Sequence, residues 1–216
     1  MPAFAGMTKK IMPQSILNKL IEGNAEFRKQ YFQGDRSLYQ DLKNEQRPEV
    51  MVIACSDSRV DPALVMNCRP GDLFVVRNVA NLVPPCQDDG GYHGTSAALE
   101  FAVTGLKVKH IIVFGHTQCG GITALMESRI IGKQAHFISK WMDIVEPACE
   151  ETHRNLGNEP LATQVEHCSQ EALLLSLKNL HSFPFVKAKV EAGTLFLHAW
   201  YFDLADGSIR ELSSMA

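Results

Sequence analysis

Residues 50–59 read VMVIACSDSR, and this stretch decides the fold. Its first five residues form an unbroken apolar run with Val and Ile, which is typical of a strand buried on both faces of a parallel sheet. Cys55, Asp57 and Arg59 follow the run, so we expect them at the carboxyl end of the strand, where open α/β sheets bind their ligands. The alternative is an ordinary polar turn in which Cys55 is a small buried hydrophobic residue.

Further apolar runs predict the rest of the sheet. Residues 73–76, 110–115 and 194–201 are predicted strands, and an Asp-Gly turn before residues 209–212 predicts a terminal hairpin. Because helical patterns separate these strands, the sequence predicts an α/β fold. Its central sheet is mostly parallel and flanked by helices, with an antiparallel C-terminal edge hairpin.

Apolar residues at helical spacing predict an N-terminal helical arm within residues 11–45. A short helix is predicted at Asp61-Pro62, with Asp61 as N-cap and Pro62 in the first turn. A second is predicted to be capped by Thr95 or Ser96. Residues 122–129, 137–153 and 161–180 are the remaining predicted helices.

The composition is that of a globular chain, and its 216 residues favour a single domain over residues 1–216. A formal net charge of -3 gives no attraction to nucleic acid or to an anionic membrane. Residues 1–10 show no secretory signal and are expected to be disordered, so we expect a cytoplasmic protein without a membrane segment. In that setting, six cysteines favour reduced thiols, some of them metal-bound, over a disulfide framework.

Ligand-type residues also follow the strand predicted at residues 110–115, where residues 116–121 read HTQCGG. Thiolate and imidazole are the side chains that Zn²⁺ prefers, and Cys55, His116 and Cys119 can reach one ion if their strands are neighbours. Three protein ligands leave a fourth position open for a water whose pKa falls to about 7. Asp57 is placed to orient that water, and Arg59 to keep Asp57 ionised. The alternatives are a structural His-x-x-Cys turn and a surface ion pair.

The two motifs together closely resemble those of the β-class carbonic anhydrases. The resemblance extends to residues 70–81, PGDLFVVRNVAN, and 94–102, GTSAALEFA, and covers essentially the whole chain from Ile11 to the terminal hairpin. It implies reversible hydration of CO₂ to bicarbonate and a proton by a zinc-bound hydroxide. One Zn²⁺ per subunit would be held by the residues that match the family's ligands, Cys55, His116 and Cys119.

The resemblance implies roles for further residues. Asp57 and Arg59 would form a catalytic dyad in which the carboxylate accepts a hydrogen bond from the zinc-bound hydroxide. The predicted substrate-binding residues are Gln46, the backbone N–H of Gly120, and the apolar side chains of Phe74, Val79 and Phe101.

Residue 52 indicates which group of the β-class family the chain resembles. A second group of the family swings the dyad aspartate onto zinc and has a tryptophan three residues before the first zinc cysteine. Val52 stands at that position here. Together with Gln46, it indicates the plant-like open-site group, called type I. The family fold also implies a homodimer or a higher homo-oligomer, with the N-terminal helices against the partner subunit.

Other functions and sites stay open. On the same scaffold, the chain could hydrolyse carbonyl sulfide or carbon disulfide, or it could be a zinc-binding protein without catalysis. Tyr92 and His93 could relay protons, although a plain loop is the simpler interpretation. A second metal site is conceivable but not favoured; its candidate ligands are Cys149, His153, His167 and Cys168. Cys68 and Cys86 belong to no motif.

Overall fold

The computed structural model describes residues 14–33, 38–127 and 136–215. The chain divides into two compact units, residues 1–46 and 47–216. The predicted arm over residues 11–45 belongs to the first unit, and the predicted disorder of residues 1–10 lies outside the described residues. A single domain over residues 1–216 stays a prediction.

The first unit consists of two helices in its described part, α1 (Gln14–Phe32) and α2 (Leu38–Leu42). Aromatic rings join them, since Phe32 and Tyr39 stack with centroids 4.6 Å apart and an interplanar angle of 14°. Four large aliphatic side chains of α1 are exposed: Ile16, Leu17, Leu20 and Ile21. An exposed apolar group of this size is typical of a surface that meets another chain.

The second unit contains one sheet of five strands in the described part of the chain. These are β1 (Val50–Cys55), β2 (Leu73–Asn78), β3 (His110–His116), β4 (Phe196–Phe202) and β5 (Ile209–Met215). The strand order is β2-β1-β3-β4-β5, parallel except for the antiparallel pair β4/β5. This confirms the predicted fold class, with strand ends that differ by up to three residues.

Seven α-helices flank the sheet among the described residues. They are α3 (Pro62–Val65), α4 (Gly94–Glu100), α5 (Gly120–Met126), α6 (His136–Met142), α7 (Glu146–Leu156), α8 (Leu161–Leu180) and α9 (Pro184–Glu191). The cap predicted at Asp61 is confirmed, because its carboxylate accepts hydrogen bonds from Ala63 N and Leu64 N. None of the described helices combines the length and the hydrophobicity needed to span a bilayer.

Two helix predictions were wrong, and one helix was missed. Neither Thr95 nor Ser96 caps α4, which begins at Gly94 after His93 without a side-chain cap. The single helix predicted over residues 137–153 is divided into α6 and α7 by a 3₁₀ turn at Asp143–Val145. Pro147 in the first turn of α7 has no N–H to continue a helix from α6, which explains the break. Helix α9 was not predicted.

Two hydrophobic cores cover the two faces of the sheet. Along β1, Met51 and Ile53 belong to one core, whereas Val52 and Ala54 belong to the other, as the alternation of a strand requires. The prediction of a strand buried on both faces is therefore confirmed for β1. β2, predicted to be buried, is only half-buried because it lies at the edge of the sheet.

Candidate metal centre

Three ligand-type side chains meet at the carboxyl ends of β1 and β3, which are neighbours in the sheet. Cys55 ends β1, His116 ends β3, and Cys119 directly precedes α5. Their donor atoms all lie within 4.8 Å of one another, and all three residues are buried. Across residues 14–33, 38–127 and 136–215, this is the group that could hold a metal ion.

The distance between the two sulfurs fits a metal rather than a disulfide. Cys55 Sγ and Cys119 Sγ are 3.9 Å apart. A disulfide needs about 2.05 Å. Two zinc–sulfur bonds of about 2.3 Å at a tetrahedral angle place their sulfurs roughly 3.8 Å apart. The thiols are therefore already spaced as ligands of one tetrahedral ion.

The imidazole of His116 is oriented as a ligand. Its Nδ1 lies 2.8 Å from the carbonyl oxygen of Thr117, and a carbonyl only accepts hydrogen bonds, so Nδ1 carries the proton. Nε2 is left with a lone pair, and it is buried without a hydrogen-bond partner among the described residues. A buried nitrogen without a partner is costly, and a metal ion would satisfy it.

Thr117 is itself fixed, which makes the imidazole rigid. Its backbone N–H donates to the carbonyl of Phe202 at 3.0 Å, and its hydroxyl accepts from Leu204 N at 2.9 Å. These contacts tie the turn after β3 to the end of β4. Gln118 then has a φ of 55°, in the left-handed region, which lets the chain reverse between His116 and Cys119.

The two thiols share one proton in the absence of a metal. The hydrogen bond from Cys119 lowers the pKa of Cys55 to about 4, although burial acts in the opposite direction. The same contact, together with burial, raises the pKa of Cys119 far above the ordinary value of a thiol. One thiolate is therefore present at neutral pH, and a metal ion would displace the remaining proton.

Asp57 and Arg59 form a bidentate ion pair beside this cluster. Arg59 donates from Nε to Oδ1 at 3.0 Å and from a terminal nitrogen to Oδ2 at 2.7 Å. These hydrogen bonds hold the pKa of Asp57 well below the ordinary carboxyl value. Asp57 Oδ2 lies 4.0 Å from His116 Nε2, so an ionised carboxylate faces the cluster. Arg59 also donates to the carbonyl of Gln118 at 3.2 Å and thereby joins the loops after β1 and β3.

Arg77 also belongs to the site, although the sequence analysis did not predict a role for it. From the end of β2 its guanidinium donates to the carbonyl of Cys55 at 2.9 Å, to the carbonyl of Asp57 at 2.5 Å and to the carboxylate of Asp61 at 3.0 Å. It therefore holds the backbone on both sides of Ser56. The available signal was an arginine at the end of an apolar strand, which alone does not specify these partners.

Glycine at position 115 allows close packing behind the site. A Cβ added there would lie 2.8 Å from Leu173 Cδ1, 3.0 Å from Leu173 Cγ and 3.2 Å from Leu173 Cδ2. Helix α8 can pack this closely on β3 only because residue 115 has no side chain. At Gly120, by contrast, an added Cβ would meet no atom within 4 Å.

The predicted substrate-binding residues lie in three places. Val79 and Gly120 line one cavity of about 150 Å³ together with Gly121, Ala124, Leu125, Ile138 and Met142. Phe74 and Phe101 instead pack on each other, with ring centroids 5.9 Å apart. Gln46 is exposed and ends the first unit. The structure thus brings four of the five residues together as two separate pairs, and the substrate-binding roles stay predictions.

A larger cavity of about 870 Å³ adjoins the first at Val79, and Tyr92 and His93 are among its lining residues. His93 Nε2 lies 2.7 Å from Asp89 Oδ1. A proton relay through Tyr92 and His93 stays a prediction.

The second metal site does not assemble among the described residues. Cys149 and Cys168 do meet, with their sulfurs 3.2 Å apart. His153, however, is exposed, and His167 Nδ1 contacts Thr152 Oγ1 at 2.9 Å instead of the sulfurs.

Known proteins resemble this chain along most of its length. A family model described as carbonic anhydrase matches residues 50–209. "Beta carbonic anhydrase 5, chloroplastic" of Arabidopsis thaliana is 41% identical over 180 residues, which are 83% of this chain and 59% of the relative. The chain therefore spans about 59% of that relative's length.

Solved structures of β-carbonic anhydrases have the same fold as this chain. The β-carbonic anhydrase CcaA superposes with a TM-score of 0.85 at 33% identity, covering 91% of this chain and 87% of that one. A second match comes from two tetrameric β-carbonic anhydrases of the filamentous ascomycete Sordaria macrospora. Its TM-score is 0.82 at 29% identity, covering 94% of this chain and 100% of that one.

The residues that the family model matches run from the first residue of β1 to the first residue of β5. They include both strands that carry the Cys-His-Cys cluster. Sequence and fold agree over the same part of the molecule. The chain therefore belongs to the β-class carbonic anhydrase family.

Proposed function

We propose that this protein catalyses the reversible hydration of CO₂ to bicarbonate and a proton with one Zn²⁺ per subunit. The observation that carries the proposal is the buried cluster of Cys55, His116 and Cys119 with an ionised Asp57 facing it. A structural zinc site needs four protein ligands and no neighbouring carboxylate. Three ligands with such a carboxylate are the arrangement of a catalytic site.

The residues present fit zinc. The sulfur spacing of 3.9 Å, the unpartnered buried Nε2 of His116 and the low pKa of Cys55 each favour a soft-ligand, tetrahedral ion. When bound, zinc lowers the pKa of a water ligand toward about 7 and so supplies a nucleophile near neutral pH.

The residues of the chain would orient and surround this nucleophile. Because Arg59 keeps Asp57 ionised, the carboxylate can only accept hydrogen bonds, and it would fix the direction of the attacking water. Val79 and Gly120 line a cavity of about 150 Å³, which is large enough for a small apolar gas molecule. The N–H of Gly120 could then donate to an oxygen of bicarbonate.

We assign the chain to the open-site group within this proposal. Val52 is fully buried in β1, where the other group has a tryptophan. Asp57 is held by the side chain of Arg59 and also accepts from its backbone N–H at 3.0 Å. Those contacts favour a carboxylate that stays off the metal.

A homo-oligomeric state is also proposed. The four exposed large aliphatic side chains of α1 and the tetrameric relatives from Sordaria macrospora support it. A cytoplasmic location is proposed from the free state of all six cysteines. The Arabidopsis thaliana relative, by contrast, is named as chloroplastic.

Stopped-flow CO₂ hydration across pH, with zinc content measured on the same sample, tests the function. We expect activity that scales with zinc content and is abolished by Cys55→Ala. Cys68→Ser is the matched control, since Cys68 is a half-buried cysteine outside the cluster, and it should keep both zinc and activity. Full hydration activity in Cys55→Ala would overturn the catalytic proposal. Carbonyl sulfide and carbon disulfide, offered to the same samples, should be hydrolysed far more slowly than CO₂ is hydrated.

A further inference from the structure

A second pair of cysteines lies outside the metal centre, in the helical layer of the fold. Cys149 on α7 and Cys168 on α8 are 19 residues apart in sequence, and their sulfurs are 3.2 Å apart. This is closer than the 3.9 Å between the two sulfurs of the metal centre. A disulfide of about 2.05 Å requires the two atoms to approach by only about 1 Å.

The surroundings of the pair point away from metal binding. In the described part of the chain, no third Cys, His, Asp or Glu side chain completes a ligand group with it. Two thiolates alone do not meet the coordination number of zinc. The pair must therefore be explained either as two inert buried thiols or as a pair whose function depends on their mutual contact.

The two thiols are unequal, as an attacking and a resolving thiol need to be. Cys149 is 7% exposed, whereas Cys168 is 0% exposed, so an oxidant would reach Cys149 first. The hydrogen bond from Cys168 lowers the pKa of Cys149, and a thiolate is the reactive form of cysteine. Contact with Cys149 and burial raise the pKa of Cys168.

The position of the pair links it to the rest of the second unit. Cys149 and Cys168 belong to the same hydrophobic core as Cys55 and Cys119. Helix α7 follows α6 through the turn at Asp143–Val145, and Ile138 and Met142 of α6 line the cavity that contains Gly120. A covalent bond between α7 and α8 would therefore fix the segment that forms one wall of this cavity.

We propose that Cys149 and Cys168 form a redox-active dithiol that a peroxide converts into an intramolecular disulfide between α7 and α8. The Cys149 thiolate attacks one peroxide oxygen and breaks the O–O bond, which gives a sulfenic acid and, after protonation, one water. Cys168 sulfur then attacks the Cys149 sulfur, the S–O bond breaks, and the second water leaves with the thiol proton. The sulfurs lose two electrons and hydrogen peroxide gains them. A thiol reductant reverses the change.

The experiment uses the zinc-loaded protein with Cys68→Ser and Cys86→Ser, because these half-buried and exposed thiols could form disulfides between molecules. Hydrogen peroxide is added, the protein is unfolded with an alkylating agent, and its peptides are mapped by mass spectrometry. We expect a linked peptide pair containing Cys149 and Cys168 that dithiothreitol removes, with the zinc content unchanged. Closing a loop of 19 residues should also raise the Tm by roughly 5–10 °C.

Cys168→Ser in the same background is the matched control. It removes the resolving thiol, so peroxide should leave Cys149 as a sulfenic acid or a higher oxide and the rise in Tm should vanish. Should this variant fail to fold, the peptide map of the parent protein decides alone. Alkylation of both Cys149 and Cys168 after peroxide treatment, or a link between Cys55 and Cys119 with loss of zinc in their place, would overturn the proposal. The outcome does not depend on CO₂ hydration activity.

Discussion

Replacing Gly115 by alanine should destabilise the fold and weaken zinc binding together. The added methyl group would lie 2.8 Å from Leu173 Cδ1, with two further Leu173 atoms within 3.2 Å, so the buried Leu173 side chain must shift or β3 and α8 must move apart. Overpacking of this kind costs about 1–3 kcal/mol. Loss of the freedom of glycine in the unfolded chain returns about 0.4–1 kcal/mol. We therefore expect the free energy of unfolding to fall by about 1–2 kcal/mol.

Zinc affinity should fall because the strand cannot shift at residue 115 without moving His116, the next residue. Displaced ligand orientation typically weakens metal binding by about tenfold or more. Urea unfolding and competition with a chromophoric chelator measure the two effects. Gly120→Ala is the control, since its methyl group meets no atom within 4 Å and should leave both quantities near their starting values.

A double substitution tests the cause. Leu173→Ala alone should cost about 2–5 kcal/mol through the cavity it opens. Combined with Gly115→Ala it should cost less than the sum of the two single changes, because the methyl group then enters that cavity. Simple additivity, or a Gly115→Ala protein that is as stable as the parent and binds zinc as tightly, would refute the packing argument.

Three further predictions concern the residues around the cluster. Arg77→Met removes hydrogen bonds to two backbone carbonyls and one carboxylate, so urea unfolding should show a free energy of unfolding that is lower by about 2–4 kcal/mol. A decrease below about 0.5 kcal/mol would count against a positioning role of Arg77. Arg59→Met lets the pKa of Asp57 rise toward about 3.9. A depressed folded pKa stabilises the protein above the unfolded pKa, and this contribution is lost as pH falls through the folded pKa. The stability difference from the parent should therefore be constant above about pH 5 and shrink progressively below about pH 4, and a difference that stays constant down to about pH 2 would contradict the ion pair as its origin. Zinc added to the metal-free protein near pH 6, where a water ligand with a pKa of about 7 stays mostly protonated, should release about one proton to a pH indicator, because Cys55 is already ionised and Cys119 is not. A release of two protons would contradict the shared proton.

The sequence was sufficient for the parts of the site that depend on strand ends. β1 and β3 are short apolar runs that can only be buried, and each is followed directly by ligand-type residues. Parallel neighbours bring their carboxyl ends to one edge, so the meeting of Cys55 with His116 and Cys119 follows once β1 and β3 are neighbours, as they are in this sheet. The bidentate pair of Asp57 and Arg59 needs only a spacing of two residues.

Contacts that depend on register and on packing between helices could not be predicted in this way. Arg77 reaches carbonyls 22 and 20 residues earlier in the chain because β2 pairs with β1 in one particular register, with Arg77 beside Ala54. The meeting of Cys149 and Cys168 requires a rotation of α7 against α8 that no periodicity specifies. The half-burial of β2 likewise follows from strand order, which its apolar composition does not reveal.

The two arginines restrain Asp57 in different ways, and the difference matters for the proposed open site. Arg59 holds the carboxylate through two side-chain hydrogen bonds, and its side chain is 48% exposed, whereas that of Asp57 is 16% exposed. A metal ion with an open ligand position would compete with Arg59 for this carboxylate. Arg77 is less exposed, at 27%, and holds the carbonyl of Asp57 itself. Moving the carboxylate onto the metal by shifting this backbone would break the contact with Arg77 as well. The open arrangement thus depends on Arg77 as well as on Arg59, so a crystal structure of zinc-loaded Arg77→Met should show Asp57 closer to the metal than in the parent protein, and an unchanged distance would contradict this role.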